Sequence, residues 1–280
     1  LAPGTVVVKG SRKTVQHLEG GIVKELPVND GDRVKKGDLL LRLDDTQIRA
    51  QLEITMGQYY AVKAREARLL AERDDSSSVS YPTVITQGND PRAQDAIQSQ
   101  NQVFTAQRNA LLGEISVLNQ RIEQLHSQAK GLGGLKIGKQ KLVASYAAEV
   151  EDFSQLLEEG FADKNRLRDL ERSLAQMEGE VAELTANIAS VEMQAGETRL
   201  QILQLQKEFH TNVVDQLSTT QEEMYDLEER IRAAGDKVER ADIRAPADGL
   251  VLGLAVHTIG GVVRAGEPIL SVVPQSAELL

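Results

Sequence analysis

The chain carries one short β pattern twice, with a long helical segment between the two copies. The first copy, GGIVKELPVNDGDRVKKGDLLLRLDD, spans residues 20–45, and the second, DGLVLGLAVHTIGGVVRAGEPILSVV, spans residues 248–273. Glycines that bracket short apolar runs predict tight turns between strands. These predicted turn residues are Gly21, Gly31, Gly37, Gly249, Gly260 and Gly266. Because so small a sheet needs a second apolar face, we predict that the two halves pack into one β-sandwich.

This repeated pattern resembles the biotinyl/lipoyl carrier fold, in which a hairpin tip bears the modified lysine. The junctions between the halves are RLDDTQIRA, residues 42–50, and ADIRAPADG, residues 241–249, and neither provides a lysine at a shared tip. The resemblance therefore implies a lipoyl-like β domain made of residues 16–45 and 242–274, with the helical insertion at the tip position. A swinging-arm carrier subunit, which needs a modifiable lysine on a tight turn, is disfavoured.

The sequence pattern over residues 46–241 predicts three helices. Asp45 and Thr46 are a plausible start for a helix over about 46–74, and serine, proline and glycine then predict a loop over 75–91. A second helix follows over about 92–158. Two apolar series with spacing seven run through it in phase, even across the glycine-rich KGLGGLKIGK, and indicate a coiled-coil seam. The first helix either runs beside the second or is redirected by the loop.

A third helix is predicted over about 163–240, after a short turn. Gly160 is a natural residue to end one helix, and Asp163 is a natural N-cap for the next. Since so short a turn forces the two helices to be antiparallel neighbours, we predict a helical hairpin about 110 Å long. Phe161 is an aromatic residue in this turn, and it either packs back on the last helical turn or serves as a docking tip.

Composition excludes several classes of function. The formal net charge is −10, which disfavours a nucleic-acid partner, and there is no cysteine to form a disulfide or a thiolate metal site. The near P-loop GGLKIGKQ at 133–140 lacks the hydroxyl residue and follows a helix instead of a strand. The four histidines are scattered. We therefore predict no enzyme, with no catalytic, cofactor-binding or metal-binding residue. The sequence contains no apolar run of about 18 residues, so it predicts no membrane span.

The stretches LEGGIVKE, VNDGDRVKKGDLLLRLDDT and ADIRAPADGLV, together with the inserted hairpin, resemble the HlyD-type membrane fusion proteins. These are periplasmic adaptors of type I secretion, and the resemblance is closest to adaptors of protease and lipase exporters. It implies an α+β fold with a long antiparallel coiled-coil hairpin inserted between two halves of a lipoyl-like β-sandwich. It also implies stubs at residues 1–15 and 275–280, toward a membrane-proximal β domain and a β-barrel domain. The chain starts without Met, and we interpret it as a mature protein or an excised fragment.

The resemblance implies an adaptor that links an inner-membrane ABC transporter to an outer-membrane channel protein, for one-step export of unfolded proteins. The adaptor would be periplasmic, anchored by an N-terminal helix absent from this chain, and would assemble as a homo-oligomer, a hexamer in the exporter, through its lipoyl-like domains. The hairpin tip would dock on the channel. The candidate docking residues are Leu156, Gly160, Phe161, Asp163, Lys164 and Arg166.

Other interpretations remain open from the sequence. An adaptor of a tripartite small-molecule efflux pump would have the same architecture. Drug-efflux adaptors carry an Arg, Leu, Ser pattern at the tip, which falls here on Asp152, Leu156 and Asp163, so only Leu156 agrees. An SMC-like coiled-coil protein would need nucleotide motifs and a basic DNA-binding face, and the sequence has neither.

Overall fold

The structure is a computed structural model that describes residues 12–88 and 90–274. The described residues fall into two compact units, one of residues 12–67, 80–88, 90–98 and 217–274, and the other of residues 68–79 and 99–216. The elements in chain order are β1 (Lys13–Gln16), β2 (Gly21–Glu25), β3 (Arg33–Val34), β4 (Leu39–Leu43), α1 (Thr46–Arg73), α2 (Thr83–Thr86), α3 (Pro91–Glu158), α4 (Lys164–Ala241), β5 (Asp242–Arg244), β6 (Gly249–Leu252), β7 (Val262–Val263) and β8 (Pro268–Val273).

The β part of the first unit consists of two four-stranded sheets that mix strands from both halves of the repeat. One sheet has the order β1-β8-β6-β3 and the other β5-β4-β2-β7. Alternate side chains of the two sheets meet in one apolar core, whose fully buried members include Leu40, Leu41, Val251, Leu270 and Val272. Burial of each such side chain contributes about 1.5–3 kcal/mol. The predicted α+β fold, with helices between two halves of a small β-sandwich, is confirmed.

The edges of this β domain differ from the prediction. The segment Lys13–Gln16 forms strand β1, which pairs with β8 from Lys13 opposite Val272 to Gln16 opposite Pro268. Residues 13–15 were expected to belong to a stub, so the domain begins earlier than residue 16. The pairing is a contact between the two ends of the chain, which periodicity along one segment does not reveal. Residues 1–11 and 275–280, the rest of the predicted stubs, lie outside the described residues.

The six predicted turn glycines do not all lie in turns. Gly31, Gly37, Gly260 and Gly266 have positive φ angles between 72° and 93°, a region that favours glycine. Gly21 and Gly249 lie in strands β2 and β6 instead. At Gly249 a Cβ atom would be 2.3 Å from the carbonyl oxygen of Val273. Glycine is therefore required there by close approach of strand β8, and not by a turn.

The helices begin and end close to the predicted positions, with one addition. Asp90 caps α3, because its Oδ1 accepts a hydrogen bond from the backbone N–H of Arg92 at 2.9 Å, and Pro91 occupies the first helical position. The segment expected to be a loop contains the short helix α2. Its Ile85 is buried against Ala64 of α1 and Ala93 of α3. This tertiary contact orders a segment whose composition alone predicts no helix.

Helix α1 runs beside α3 in the same direction, the first of the two paths that the sequence left open. In the first unit, Arg92 of α3 donates hydrogen bonds to the backbone oxygen and the carboxylate of Glu53 on α1. In the second unit, Arg68 of α1 reaches Gln100 and Gln107 of α3. Further along the chain, the carbonyl of Ser76, just after α1, accepts a hydrogen bond from Arg108 of α3. In the second unit the α3 partner therefore advances as the chain advances along α1, so the two helices are parallel there.

In the second unit, α3 and α4 pack through the predicted heptad seam. Leu125, Val191 and Ala195 form its buried centre, with Ala129 and Leu132 against them. Residues 130–139, which include four glycines, are helical and keep the seam in phase. The near P-loop at 133–140 therefore lies within a helix, where it cannot form the phosphate-binding loop that this motif requires. None of the helices in the described part of the chain combines the length and the apolar composition that a membrane span requires.

Candidate functional site

The turn between α3 and α4 is ordered by hydrogen bonds of its own backbone. The N–H of Phe161 donates to the carbonyl of Leu156 at 2.9 Å, and the N–H of Gly160 donates to the carbonyl of Leu157 at 3.0 Å. This pair of bonds is the Schellman arrangement that ends many helices. It places Gly160 at φ 82°, where glycine has no Cβ to clash. The chain therefore leaves α3 in one defined direction.

Asp163 starts the next helix. Its Oδ1 accepts a hydrogen bond from the backbone N–H of Asn165 at 2.9 Å, and its carbonyl accepts from Arg166 at 3.1 Å. This is N-cap geometry, and it satisfies donors that α4 would otherwise leave free. A carboxylate at this end also complements the helix dipole. Only two residues, Phe161 and Ala162, separate the α3-ending Gly160 from this cap.

The two caps present Phe161 to solvent. Its side chain is 81% exposed, and Leu156, one turn back on α3, is 41% exposed. The Schellman arrangement often includes an apolar contact between these two positions. The exposure of Phe161 disfavours the interpretation in which its ring packs back on the last turn of α3. An exposed aromatic ring on an ordered turn is the kind of group that anchors protein interfaces.

Charged side chains of both signs surround Phe161. Lys164 and Arg166 are exposed on the first turn of α4, and the nearest acidic partner of Arg166 is Glu149 at 4.0 Å. The six predicted docking residues thus lie within one turn and its two flanking helical turns. Asp152 lies on exposed α3 surface one turn before Leu156. The turn therefore offers an apolar centre with a polar rim, the usual composition of a protein interface.

An exposed apolar patch also lies on the β domain. Ile22 of β2 and Val262 of β7 are directly opposite each other across the two strands, and both are exposed. Two backbone hydrogen bonds hold the neighbouring turn, from the N–H of Gly260 to the carbonyl of Val23 and from the N–H of Val23 to the carbonyl of Gly261. Exposed Ile259 lies in that turn. The sequence does not identify this patch, because strand alternation alone does not tell which apolar positions face solvent.

Helix α1 also carries a buried charge network that the sequence did not predict. Arg68 and Glu72 on α1 are 5% and 3% exposed and form a 2.6 Å ion pair, while Arg68 also donates to Gln100 and Gln107. Burial raises the pKa of the Glu72 carboxyl, and Arg68 lowers it only in part. Glu72 Oε1 has no hydrogen-bond partner. The (i, i+4) spacing of the pair is visible in the sequence, but its burial depends on the neighbouring helix.

Glu72 also lines an open cleft of about 320 Å³ within the second unit. The cleft is lined further by Gln107, Leu111, Phe209 and Asn212. Among the described residues there is no group of three or more His, Cys, Asp or Glu side chains that could hold a metal ion. The charged network of Arg68 joins α1 to α3 beside this cleft, and we interpret it as a packing feature.

Comparison with known proteins identifies close relatives. The family model for AprE, long alpha-helical hairpin, matches residues 48–237. The chain is 35% identical to the type I secretion system membrane fusion protein PrsE of Rhizobium meliloti over 283 residues, which cover 100% of this chain and 64% of PrsE. It is 34% identical to the alkaline protease secretion protein AprE of Pseudomonas aeruginosa, over 99% of this chain and 64% of AprE. The chain thus spans less than two thirds of these relatives.

A solved structure has the same fold. The crystal structure of the soluble domain of LipC, a membrane fusion protein of a type I secretion system, superposes with a TM-score of 0.91 at 33% sequence identity. The match covers 95% of this chain and 100% of that domain. A match over 95% of the chain includes the β-sandwich as well as the coiled coil.

Proposed function

Because this chain belongs to the AprE-type membrane fusion proteins of type I secretion systems, we propose that it is the adaptor between an inner-membrane ABC transporter and an outer-membrane channel protein. The observation that carries the proposal is the match along 99–100% of the chain to relatives named for secretion, one of them for secretion of an alkaline protease. We infer that the exported substrates are unfolded proteins of the protease or lipase type.

The α3–α4 turn is the proposed channel-docking site. The support is the 81% exposed Phe161 between two capped helix ends, with Leu156 beside it and charged Asp163, Lys164 and Arg166 around it. A fixed apolar anchor loses little conformational entropy on binding, because the caps have already ordered the turn. Ordered backbone bonds at Gly160 favour a preformed docking surface over one that folds on contact.

The β domain is the proposed site of ring assembly, with six copies in the assembled exporter. The support is the patch of Ile22, Ile259 and Val262, which is exposed in a single copy. A contiguous exposed apolar surface on a small domain indicates a protein contact. In this proposal the adaptor works in the periplasm and takes no part in chemistry. The β domain holds the ring together, and the helices carry the docking turn.

The docking proposal is tested by cross-linking in cells. The described chain has no cysteine, so a single cysteine at Phe161 in the full-length adaptor, in a background without other cysteines, reports only on this turn. We expect an adduct with an outer-membrane channel protein while substrate is being exported. Cysteine at Glu159, which is exposed beside Phe161, keeps the aromatic anchor and should give the same adduct.

Tyr225 provides the matched control, because it is also an exposed aromatic residue on a long helix. A cysteine at Tyr225 should give no adduct with the channel protein. Intact secretion together with no channel adduct from Phe161 or Glu159 would reject the turn as the docking surface. Loss of the adaptor with no effect on export of any protease or lipase would reject the adaptor function itself.

A further inference from the structure

The open cleft that Glu72 lines in the second unit has an apolar wall. Four side chains of α3 and α4 form this wall: Leu111, Leu205, Phe209 and Val213. Val213 is buried and the other three are half-buried. An apolar cavity of about 150 Å³ is large enough to hold benzene, so a cleft of about 320 Å³ has room for a ring and a polar group attached to it. This Glu72 cleft therefore has the size and the lining of a small-molecule site.

Glu72 supplies a buried hydrogen-bond acceptor at this cleft. Its side chain is 3% exposed, and its Oε2 accepts the 2.6 Å hydrogen bond from Arg68. Its Oε1 is buried and has no hydrogen-bond partner. A buried carboxylate oxygen without a partner is costly, because it has lost water and gained nothing in exchange. Since Glu72 lines the cleft, a donor group bound there is placed to satisfy Oε1.

The charges around the cleft favour a cation. Glu114 of α3 and Glu208 of α4 also line it, and both are exposed. In the described part of the chain, no Lys, Arg or His lines the cleft. Helix α1 ends at Arg73, directly after Glu72, and the carboxyl end of a helix carries partial negative charge. Arg68 offsets the charge of one of the three carboxylates, so an excess of negative charge remains.

An organic cation fits these features better than a metal ion, an anion or a neutral molecule. A metal ion needs several converging oxygen ligands, and the described residues contain no group of three or more His, Cys, Asp or Glu side chains that could hold one. The carboxylates repel an anion, and a neutral hydrocarbon leaves Oε1 of Glu72 unsatisfied. A primary ammonium on an apolar body provides both a charged donor for the carboxylate and a surface for the apolar wall.

We propose that the Glu72 cleft binds a small amphipathic organic cation, a primary ammonium attached to an apolar group of about the size of a benzene ring. The ammonium donates to Oε1 of Glu72, and the apolar group packs against Leu111 and Phe209. Because Glu72 lies in the last turn of α1, the bound cation also stabilises the end of α1 beside α3. This site is separate from the docking turn and does not depend on the proposed export function.

Benzylammonium is the probe, with benzyl alcohol and phenylacetate as its neutral and anionic counterparts. Each is titrated into the purified 280-residue chain, and binding is followed by ligand-observed NMR. We expect benzylammonium to bind at least tenfold more tightly than either counterpart. The amide of N-acetyl-lysine stands in for a lysine side chain of another polypeptide, and calcium for a metal ion. Tighter binding of either one than of benzylammonium would reject a small amphipathic cation as the occupant.

Variants locate the bound cation. Ala110→Trp fills the cleft from an exposed position on α3 and should abolish binding, whereas Ala106→Trp, at an exposed alanine one turn earlier that does not line the cleft, should leave it unchanged. Glu72→Gln should weaken benzylammonium about tenfold and change benzyl alcohol less than twofold. Because Glu72→Gln leaves Arg68 buried without a countercharge, its melting temperature is measured alongside. Glu208→Gln, at the exposed rim, carries no such risk and should weaken binding about two- to fivefold.

Hydrogen–deuterium exchange gives a readout that does not depend on the probe's signal. Saturating benzylammonium should slow exchange at residues 70–76 at least threefold and leave residues 180–186, which do not line the cleft, unchanged. Equal affinity for the three probes would overturn the proposal, as would unchanged binding in Ala110→Trp or in folded Glu72→Gln. These results leave the cross-linking test at Phe161 untouched, so the failure of this site and the failure of the adaptor function are distinguishable.

Discussion

Replacement of Arg68 by methionine tests the buried charge network most directly. Arg68 and Glu72 are 5% and 3% exposed, and their 2.6 Å ion pair is supported by hydrogen bonds from Arg68 to Gln100 and Gln107. Methionine fills most of the space but leaves the Glu72 carboxylate buried without a countercharge. Loss of one partner of a buried pair typically costs about 3–5 kcal/mol. We expect the free energy of opening of α1 to fall by about this amount at neutral pH.

The effect should depend on pH in a defined direction. Burial already raises the pKa of Glu72 above its ordinary value, and removal of Arg68 raises it further because the lowering influence is lost. A carboxyl whose pKa is raised on folding contributes stability at pH values below its unfolded pKa of about 4.5. That contribution is lost as the pH rises through the folded pKa. The cost of Arg68→Met should therefore be largest at pH 7 and shrink toward pH 4.

Hydrogen–deuterium exchange of peptides that cover residues 62–73 measures this local opening, because the exchange rates of these amides report the free energy of the segment. A loss of about 3 kcal/mol increases the opening constant by about 100-fold at neutral pH. Arg172→Met is the matched control, since the ion pair of Arg172 with Asp169 is largely exposed and should contribute under about 1 kcal/mol. The double variant Arg68→Met, Glu72→Met should recover most of the lost stability. A pH-independent loss, or a double variant as unstable as Arg68→Met alone, would refute the reasoning.

Four further changes test other parts of the structure. Gly249→Ala should destabilise the β domain by about 3 kcal/mol or more, because the new Cβ atom would lie 2.3 Å from the Val273 carbonyl oxygen. Urea denaturation measures this loss of stability. Gly113→Ala is the control and should be stabilising, because a Cβ atom at Gly113 would meet no atom within 4 Å. Asp163→Ala should cost about 1 kcal/mol through loss of the N-cap, seen as faster hydrogen exchange at residues 164–167, and unchanged exchange would contradict the cap assignment. Phe161→Ala should leave the circular dichroism spectrum and melting temperature unchanged and reduce secretion of the substrate protein, whereas normal secretion would argue against an aromatic anchor. Gly134→Leu should raise the stability of α3 by up to about 1 kcal/mol, because a Cβ atom there would meet no atom within 4 Å; urea denaturation measures it, and a loss of stability would contradict an open surface at this position.

Local patterns in the sequence were enough to predict most of the helical part. The heptad series through Leu125 and Val191 predicted a seam, and its phase across the glycine-rich stretch predicted an unbroken helix, as the structure has it. The relatives confirm the resemblance to HlyD-type membrane fusion proteins of the protease and lipase exporters. These features are carried by short-range periodicity and local turn chemistry, which act within a few residues along the chain. The docking role of the turn residues stays a prediction.

Tertiary structure decided what depends on contacts between distant segments. The sequence contains two similar β halves, but only strand pairing shows that each sheet takes strands from both, and that Lys13–Gln16 pairs with β8. Gly249 resembles a turn glycine in the sequence, and only the approach of Val273 makes it a strand glycine. Arg68 and Glu72 resemble an ordinary surface pair until α3 covers them. Burial and strand partnership join residues far apart in the chain, so no local pattern contains them, whereas the helical seam repeats within every seven residues.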